Sequence, residues 1–180
     1  MKKIIFAFIL CVTMSFPLNT VHAYDVHNNS AELNLLYEEY LEKKSSGIEI
    51  IDLIDENGNL IGYYEPFTDE ERDAFSKLRY SANINWTISA GYTTYGSNQY
   101  TLSAGSQITV NISQSRTGTS YLRFYNHSTN SFVRFTGTAT TNGWSGKIVV
   151  LGSGVSTGVY SFGIENASSN SITYSGTYAL

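Results

Sequence analysis

Cysteine, histidine and proline are scarce in this 180-residue sequence, and the scarcity of the first two excludes several kinds of site. Cys11 is the single cysteine, which excludes a disulfide framework and a zinc site built from paired thiolates. His22, His27 and His127 do not have the close spacing of metal ligands. Neither proline lies beyond Pro66, so no proline interrupts a strand in the rest of the chain. The sequence therefore predicts no metal site and no cofactor.

Long hydrophobic runs are also missing, apart from a short one near the start. Residues 4–16 are apolar and follow two lysines, but the run is shorter than the roughly 20 residues that span a bilayer. Val21 and Ala23 are small residues at the −3 and −1 positions of a cleavage site. We predict a signal peptide over 1–23, a mature chain that begins at Tyr24 without a transmembrane anchor, and secretion from a bacterium.

Acidic residues are nearly absent from the second half of the chain. Residues 24–80 carry 14 acids and 5 bases, whereas residues 81–180 carry 4 bases and one acid, Glu165. Removal of the signal peptide leaves 9 basic and 15 acidic residues, a net charge of −6 that disfavours nucleic acid as a partner. This asymmetry predicts two segments with a boundary between residues 80 and 81.

Residues 24–80 predict a small acidic α+β segment of helix, hairpin and helix. Apolar residues recur with helical spacing at Leu33, Leu36, Tyr37, Tyr40 and Leu41. Two apolar runs then flank Asn57-Gly58, which predicts a β-hairpin with a type I′ turn. Thr68 and Glu71 form a capping box at the start of the second helix. This segment is also a candidate pro-region that proteolysis removes.

From Ser81 onward the apolar residues recur with a period of two. Short strands alternate with turns rich in Gly, Ser and Asn, which is typical of an antiparallel β-sandwich or jelly roll. The fold class is therefore mainly β, with such a domain over 81–180 after the acidic helix–hairpin–helix segment. The side chains predicted to face the core are Ile108, Val110, Ile112, Leu122, Phe124, Tyr160, Phe162, Ile164, Ile172, Tyr174 and Tyr178.

The stretches "YTLSAGSQITVNIS" and "STGVYSFGIENASSNSITYSGTY" resemble the bacterial pre-peptidase C-terminal domain, an extracellular β-sandwich. The resemblance covers about 80 residues and rests on an Ala-Gly turn after a strand and on a late Gly-x-Tyr that begins a strand. The family's Asp-bearing central strand is replaced here by one that carries Arg123, so no calcium-related feature is carried over. The resemblance implies a module that accompanies secreted enzymes and that binds or assists rather than catalyses.

The sequence contains no complete catalytic constellation. Residues 154–158 match the G-x-S-x-G pattern, but that pattern requires a following helix and a later acid and histidine. Here a strand pattern follows, and neither a histidine nor an aspartate lies beyond Ser156. Glycosidase chemistry needs two carboxylates, and the sandwich region contains only Glu165. We predict that the protein is not an enzyme and assign no catalytic residue.

One predicted hairpin, over 121–135, gathers aromatic and basic side chains on one face. Pairing of Phe124 with Val133 places Arg123 opposite Arg134, which is unfavourable unless an anion bridges the pair or solvent separates it. The predicted outward-facing residues are Tyr121, Arg123, Tyr125, Phe132 and Arg134. Such a face could bind an anionic wall polymer, a sugar or a partner's acidic surface, or it could be an ordinary solvated face.

Three functions stay open at this point. The first is a secreted, non-catalytic β-sandwich protein for binding or assembly at the bacterial cell surface, with a cell-wall polymer, a carbohydrate or a protein as partner. The second is a secreted antagonist or toxin-like effector, in which the acidic segment is a pro-region or masks the arginine pair. The third is a hydrolase that uses residues from both segments.

Overall fold

The computed structural model describes residues 29–75, 82–136, 140–152 and 155–179, so the predicted signal peptide and mature N-terminus lie outside the described residues. Helix α1 spans Asn29–Ser45 and helix α2 spans Asp69–Phe75. The strands are β1 (Ile51–Ile54), β2 (Leu60–Pro66), β3 (Ala82–Ile88), β4 (Thr93–Tyr95), β5 (Tyr100–Leu102), β6 (Gln107–Gln114), β7 (Ser120–Asn126), β8 (Ser131–Arg134), β9 (Gly143–Val150), β10 (Gly158–Asn166) and β11 (Ile172–Ala179).

The strands of the described ranges form two antiparallel sheets that pack face to face. The six-stranded sheet has the order β1-β2-β9-β6-β11-β3. The five-stranded sheet has the order β4-β10-β7-β8, and β5 pairs with β10 beside β4. From β3 onward the chain crosses repeatedly between the two sheets, as in a jelly roll. The predicted mainly-β sandwich is confirmed.

The predicted hairpin of the acidic segment is part of the sandwich. Strand β2 pairs with β9 over five residues, which places β1 and β2 at one edge of the six-stranded sheet. Leu53, Ile61 and Tyr64 from this hairpin are buried in the main core. The six-stranded sheet therefore contains strands from both sides of the predicted boundary between residues 80 and 81.

The turn of this hairpin is not the predicted type I′. A type I′ turn needs positive φ at both central residues, but only Gly58 has it, at +85°, and Asn57 does not. The Asp55 side chain accepts hydrogen bonds at 2.8 Å from the backbone N–H groups of both Asn57 and Asn59. These bonds favour a wider turn, because the carboxylate replaces backbone partners within the loop.

The core lies between the two sheets, and the predicted inward-facing side chains are all buried in it. Aromatic rings fill its centre: Phe124 lies 5.1 Å from Phe135 and 5.8 Å from Phe162 between ring centroids. Phe162 also stacks on Tyr178 at 4.4 Å, across the two sheets. The period-two pattern was sufficient to identify these residues because each strand of an antiparallel sandwich turns alternate side chains towards the other sheet.

Helix α1 covers part of the outer face of the six-stranded sheet. Tyr40 packs against Tyr63 of β2, and Val149 and Leu151 complete this smaller core. Ile148, Val149 and Val150 of β9 are consecutive buried residues, because this part of the strand is covered on both faces. The apolar face of α1 is narrower than predicted, because Tyr37 is 48% exposed and Leu41 is exposed as well.

Charged side chains attach both helices to the same sheet. Glu65 of β2 lies between Lys43 of α1, at 2.8 Å, and Lys147 of β9, at 3.3 Å.

The predicted capping box of α2 is confirmed: Thr68 N–H donates to Glu71 at 2.9 Å, and Glu71 N–H donates to the Thr68 hydroxyl at 3.2 Å. Neither described helix is long and apolar enough to cross a membrane.

Candidate functional site

The outer face of the five-stranded sheet carries the predicted aromatic and basic side chains. The register of β7 and β8 is the predicted one, with Arg123 opposite Arg134 and Tyr125 opposite Phe132. Strand β10 lies on the other side of β7, and β4 lies beyond β10. We call this surface the aromatic–arginine face and define it as Tyr95, Tyr121, Arg123, Tyr125, Phe132 and Arg134.

The anion that the opposed arginines require is supplied by the chain itself. Arg134 donates from Nε and Nη2 to the two carboxylate oxygens of Glu165 on β10, at 2.8 and 2.6 Å. Arg123 Nη1 lies 3.1 Å from Glu165 Oε2. Glu165 is therefore shared between both guanidinium groups, and the three side chains carry a net charge of +1 at neutral pH.

Each arginine also lies against an aromatic ring. The guanidinium carbon of Arg123 is 3.8 Å from the centroid of Phe132, and that of Arg134 is 5.2 Å from the centroid of Tyr121. The two stacked pairs lie on the diagonals between β7 and β8. Such contacts are attractive because the ring face carries negative charge density.

The two arginines differ in how much they are exposed. Arg123 is 8% exposed, and its Nη1 also donates to the Thr93 hydroxyl at 3.1 Å. Its Nε has no hydrogen-bond partner within the described part of the chain. Arg134 is only partly buried, and its hydrogen bonds to Glu165 raise its pKa above the usual value. The pair is a partly desolvated network, in which removal of Glu165 would leave buried positive charge.

Tyr95 extends the face across β10, and the sequence pattern did not identify it. Tyr95 is opposite Gly163, where a Cβ atom would come within 2.4 Å of the tyrosine ring. Glycine at this position lets the ring lie flat on the sheet, next to Tyr125 at 5.7 Å between centroids. Burial raises the pKa of Tyr95, while the charge of Arg123 opposes that shift. Tyr95 therefore stays a neutral hydrogen-bonding and stacking group.

His127 lies at one end of the aromatic–arginine face, in the β7–β8 turn. Its Nε2 lies 2.9 Å from the Ser161 hydroxyl, and its ring meets that of Tyr125 edge to face at 4.9 Å. The Tyr125 hydroxyl in turn bonds to the Asn130 side chain. These contacts hold the aromatic rings in place. Among the described residues His127 makes no hydrogen bond or ion pair with a carboxylate, as a catalytic histidine would require.

The other candidate positions do not form a reactive site. Ser156 is followed by strand β10 rather than by the helix that a nucleophile elbow needs, and its hydroxyl lies 3.3 Å from the Tyr160 hydroxyl. Both oxygens of Glu165 are engaged by arginine, so this carboxylate is not free to act as a base. Across the described ranges no group of three or more His, Cys, Asp or Glu side chains could hold a metal ion.

The acidic segment does not cover the aromatic–arginine face in the described residues. Helices α1 and α2 lie on the six-stranded sheet, while the arginines point outward from the opposite sheet. One acidic side chain, Glu56 in the β1–β2 turn, adds to the effect of Glu165 in raising the pKa of Arg134. The masking role for the acidic helices is therefore not supported, because Glu165 already occupies the arginine pair.

The chain matches no family model, no curated protein and no solved structure. The two local features behind the resemblance to pre-peptidase C-terminal domains are present, because Ala104 and Gly105 form the turn between β5 and β6 and Gly158 begins β10. The resemblance to that family stays a prediction.

Sequence reasoning missed Glu165 as the partner of the arginine pair, although one signal was available. It is the single acid of residues 81–180, and it continues the outward set of β10 because Tyr160, Phe162 and Ile164 face inward. What the sequence did not show was that β10 lies beside β7, since this pairing joins residues about 40 positions apart.

Proposed function

We propose that this protein is a secreted, non-catalytic β-sandwich protein that binds a neutral carbohydrate polymer at the bacterial cell surface through the aromatic–arginine face. The observation that carries the proposal is the position of Glu165 between the two arginines. Its carboxylate neutralises one charge of the Arg123–Arg134 pair, and both carboxylate oxygens are engaged by these arginines. An anionic polymer would have to displace this carboxylate before it could reach the guanidinium groups. A neutral sugar needs no such displacement.

The aromatic side chains supply the surface that a sugar needs. Phe132 is 52% exposed, although one face of its ring lies against Arg123. Tyr95, Tyr121 and Tyr125 are partly exposed beside it, and they add hydroxyl groups to apolar ring surface. Flat aromatic rings pack against the C–H faces of sugar rings, while phenolic hydroxyls and guanidinium edges exchange hydrogen bonds with sugar hydroxyls.

The alternative of an effector with a removable acidic segment receives less support. Removal of residues 24–80 would take β1 and β2 out of the six-stranded sheet and would expose the edge of β9. A hydrolase that uses both segments is likewise disfavoured, because the two acidic helices lie on the sheet opposite to the one that carries Glu165.

The proposal is tested by depletion of the purified mature chain from solution with insoluble neutral polysaccharides, with an anionic polysaccharide as the comparison. We expect retention on a neutral polymer that changes little between low and high salt, since screening weakens charge pairs but not ring packing. Phe132→Ala is expected to weaken binding by about tenfold, the usual effect of removing a central aromatic contact.

The matched control is Tyr37→Ala, which removes a similarly exposed ring from α1 on the opposite side of the sandwich. This variant is expected to bind as the unaltered chain does. Binding that is confined to the anionic polymer and is abolished by salt would contradict the proposal. Equal losses in the two variants would show that the aromatic–arginine face is not the binding surface.

A further inference from the structure

Strand β3 forms an open edge of the six-stranded sheet. It pairs with β11 along all seven of its residues, from Ala82 to Ile88, without a bulge or register shift. No other described strand pairs with its second side. Its length and regularity give it the geometry of a template for another strand.

The register shows which backbone groups of β3 point outward. The Ser115 N–H donates to the Thr173 carbonyl at 2.9 Å, so Thr173 directs its backbone groups towards β6. Backbone groups alternate in direction along a strand, so Tyr174 directs its own towards Trp86 on β3. Trp86 and every second residue from it along β3 therefore bond to β11. The residues between them are Asn83, Asn85 and Thr87, and they direct their N–H and C=O groups away from the sheet.

The sequence of β3 lacks the residues and irregularities that usually protect an edge strand. Edge strands of natural proteins are usually protected from further pairing by lysine, proline, bulges or inward-pointing charges. The β3 sequence "ANINWTI" contains none of these residues, and the strand has no bulge. Two other outer strands carry a charge, Asp52 on β1 at the far edge of the same sheet and Arg134 on β8, whereas β4 and β5 carry none but are only three residues long.

We propose that β3 pairs antiparallel with β3 of a second copy of this chain, around a two-fold axis at Asn85. In this register Asn85 faces the partner's Asn85, and Asn83 faces the partner's Thr87. All outward N–H and C=O groups of the three residues then find partners. The interface is isologous, so it closes after two copies and joins the two six-stranded sheets into one continuous sheet.

Charge distribution allows a second copy to approach β3. The mature chain has a net charge of −6, which opposes self-association in general. The two acidic helices, however, lie on the part of the sheet built by β2 and β9. Strand β2 is four strand steps from β3, or about 19 Å, whereas charges are screened over about 8 Å at physiological salt. Two copies can therefore approach through β3 with little repulsion.

The inner face of β3 is also suited to self-pairing. Ile84 and Ile88 are buried, but Trp86 is only partly buried where it packs against the core at the open edge. In the two-fold register Trp86 faces the partner's Ile84 across the junction. Each indole then covers an aliphatic side chain of the other copy, which extends the apolar core across the interface.

The experiment measures the mass of the mature chain in solution by light scattering and sedimentation over a range of concentrations. We expect a species of twice the chain mass. Asn85→Lys places two lysines directly opposite each other and is expected to weaken the dimer by about tenfold or more, and Asn85→Glu is expected to do the same. An equimolar mixture of these two variants is expected to restore the dimer as a heterodimer.

The matched control is Ser113→Lys, which adds the same charge to an exposed position on the same sheet face but on β6. This variant is expected to keep the dimer. Hydrogen exchange adds a measurement without any substitution, since the amides of Asn83, Asn85 and Thr87 are expected to gain protection as concentration rises. A monomer at every concentration, or equal dissociation of Asn85→Lys and Ser113→Lys, would overturn the proposal. It is independent of carbohydrate binding, which a monomer could also perform.

Discussion

The ring of Phe132 lies 3.8 Å over the guanidinium carbon of Arg123, and the two residues differ sharply in exposure. Arg123 is almost fully buried, while about half of Phe132 faces solvent. The phenyl ring therefore acts as a cover for the more buried arginine of the face. A ligand that packs on Phe132 is separated from Arg123 by the thickness of one aromatic ring.

The position of Phe132 over Arg123 predicts that the ring protects Arg123 from chemical modification. Phe132→Ala is expected to increase the modification of Arg123 by an arginine-selective dicarbonyl reagent, because the guanidinium group loses the ring that shields it. Peptide mass mapping measures the extent of modification at each arginine. Arg116, which is exposed, is the internal control and should react equally in both proteins. Unchanged protection of Arg123 would mean that Glu165 and Thr93 shield it without the ring.

Glu165→Gln is expected to destabilise the protein by about 3–5 kcal/mol, the usual effect of removing one partner from a buried ion pair. The variant leaves Arg123 and Arg134 directly opposed without their shared anion. Sulfate is expected to raise the melting temperature of this variant more than that of the unaltered chain, since an oxyanion can take the place of the carboxylate. The control is chloride at the same ionic strength, and equal responses to the two salts would contradict the interpretation.

Removal of the β1–β2 hairpin is expected to abolish cooperative folding. A chain of residues 81–180 loses Leu53, Ile61 and Tyr64 from the main core, and burial of such side chains contributes about 1.5–3 kcal/mol each. A chain of residues 46–180 keeps the hairpin and loses only α1, so it should still melt cooperatively. Circular dichroism during heating distinguishes the two. A cooperative transition of the shorter chain would support the predicted independent domain over 81–180.

Docking of α1 is expected to weaken in acid. Burial opposes ionisation of Asp52, but hydrogen bonds from Lys44 and Tyr40 outweigh it and hold the Asp52 pKa below the ordinary value of 3.8. A lowered folded-state pKa means that this stabilisation is complete above pH 3.8 and is lost as the pH falls through the folded-state value. The exchange rates of the amides of α1, measured as the pH falls, should report it. Asp52→Asn should remove most of this pH dependence while leaving the rest of the sandwich unaffected.

The capping box of α2 offers a smaller, local test. Thr68→Ala is expected to cost about 1 kcal/mol, because Glu71 N–H loses the hydroxyl that accepts its hydrogen bond. Thr68→Ser keeps that oxygen and should restore most of the loss. Urea unfolding of the three proteins measures the difference. If alanine and serine were equivalent at this position, the hydroxyl would contribute nothing to the stability of α2.

The outward face of β7 and β8 could be predicted from sequence because each step was local. Alternation separates Tyr121, Arg123 and Tyr125 from the buried Leu122 and Phe124 within one strand. The short turn that follows then sets the register with β8. Periodicity and turn length involve only a few consecutive residues, so they can be recognised in the sequence without knowledge of the other strands.

The contribution of Glu165 and of the β1–β2 hairpin could not be predicted because both depend on pairing between distant strands. The composition changes at residues 80 and 81, but backbone hydrogen bonding does not depend on side-chain charge, and β2 pairs with β9 across that change. Likewise, the turn at Asn57-Gly58 depends on the Asp55 side chain, which competes with the backbone for N–H groups.

Strand β11 lies between β3 and β6, and this placement governs when the chain can fold. Ile172 pairs with Ile88, and Tyr178 pairs with Val110, so the ribosome completes β11 after both of its neighbours in the sheet. Until then β3 and β6 have no strand between them, so β3 cannot join the four strands β1-β2-β9-β6. Folding is therefore expected to be slow, because long loops must close before any of these pairings lowers the free energy.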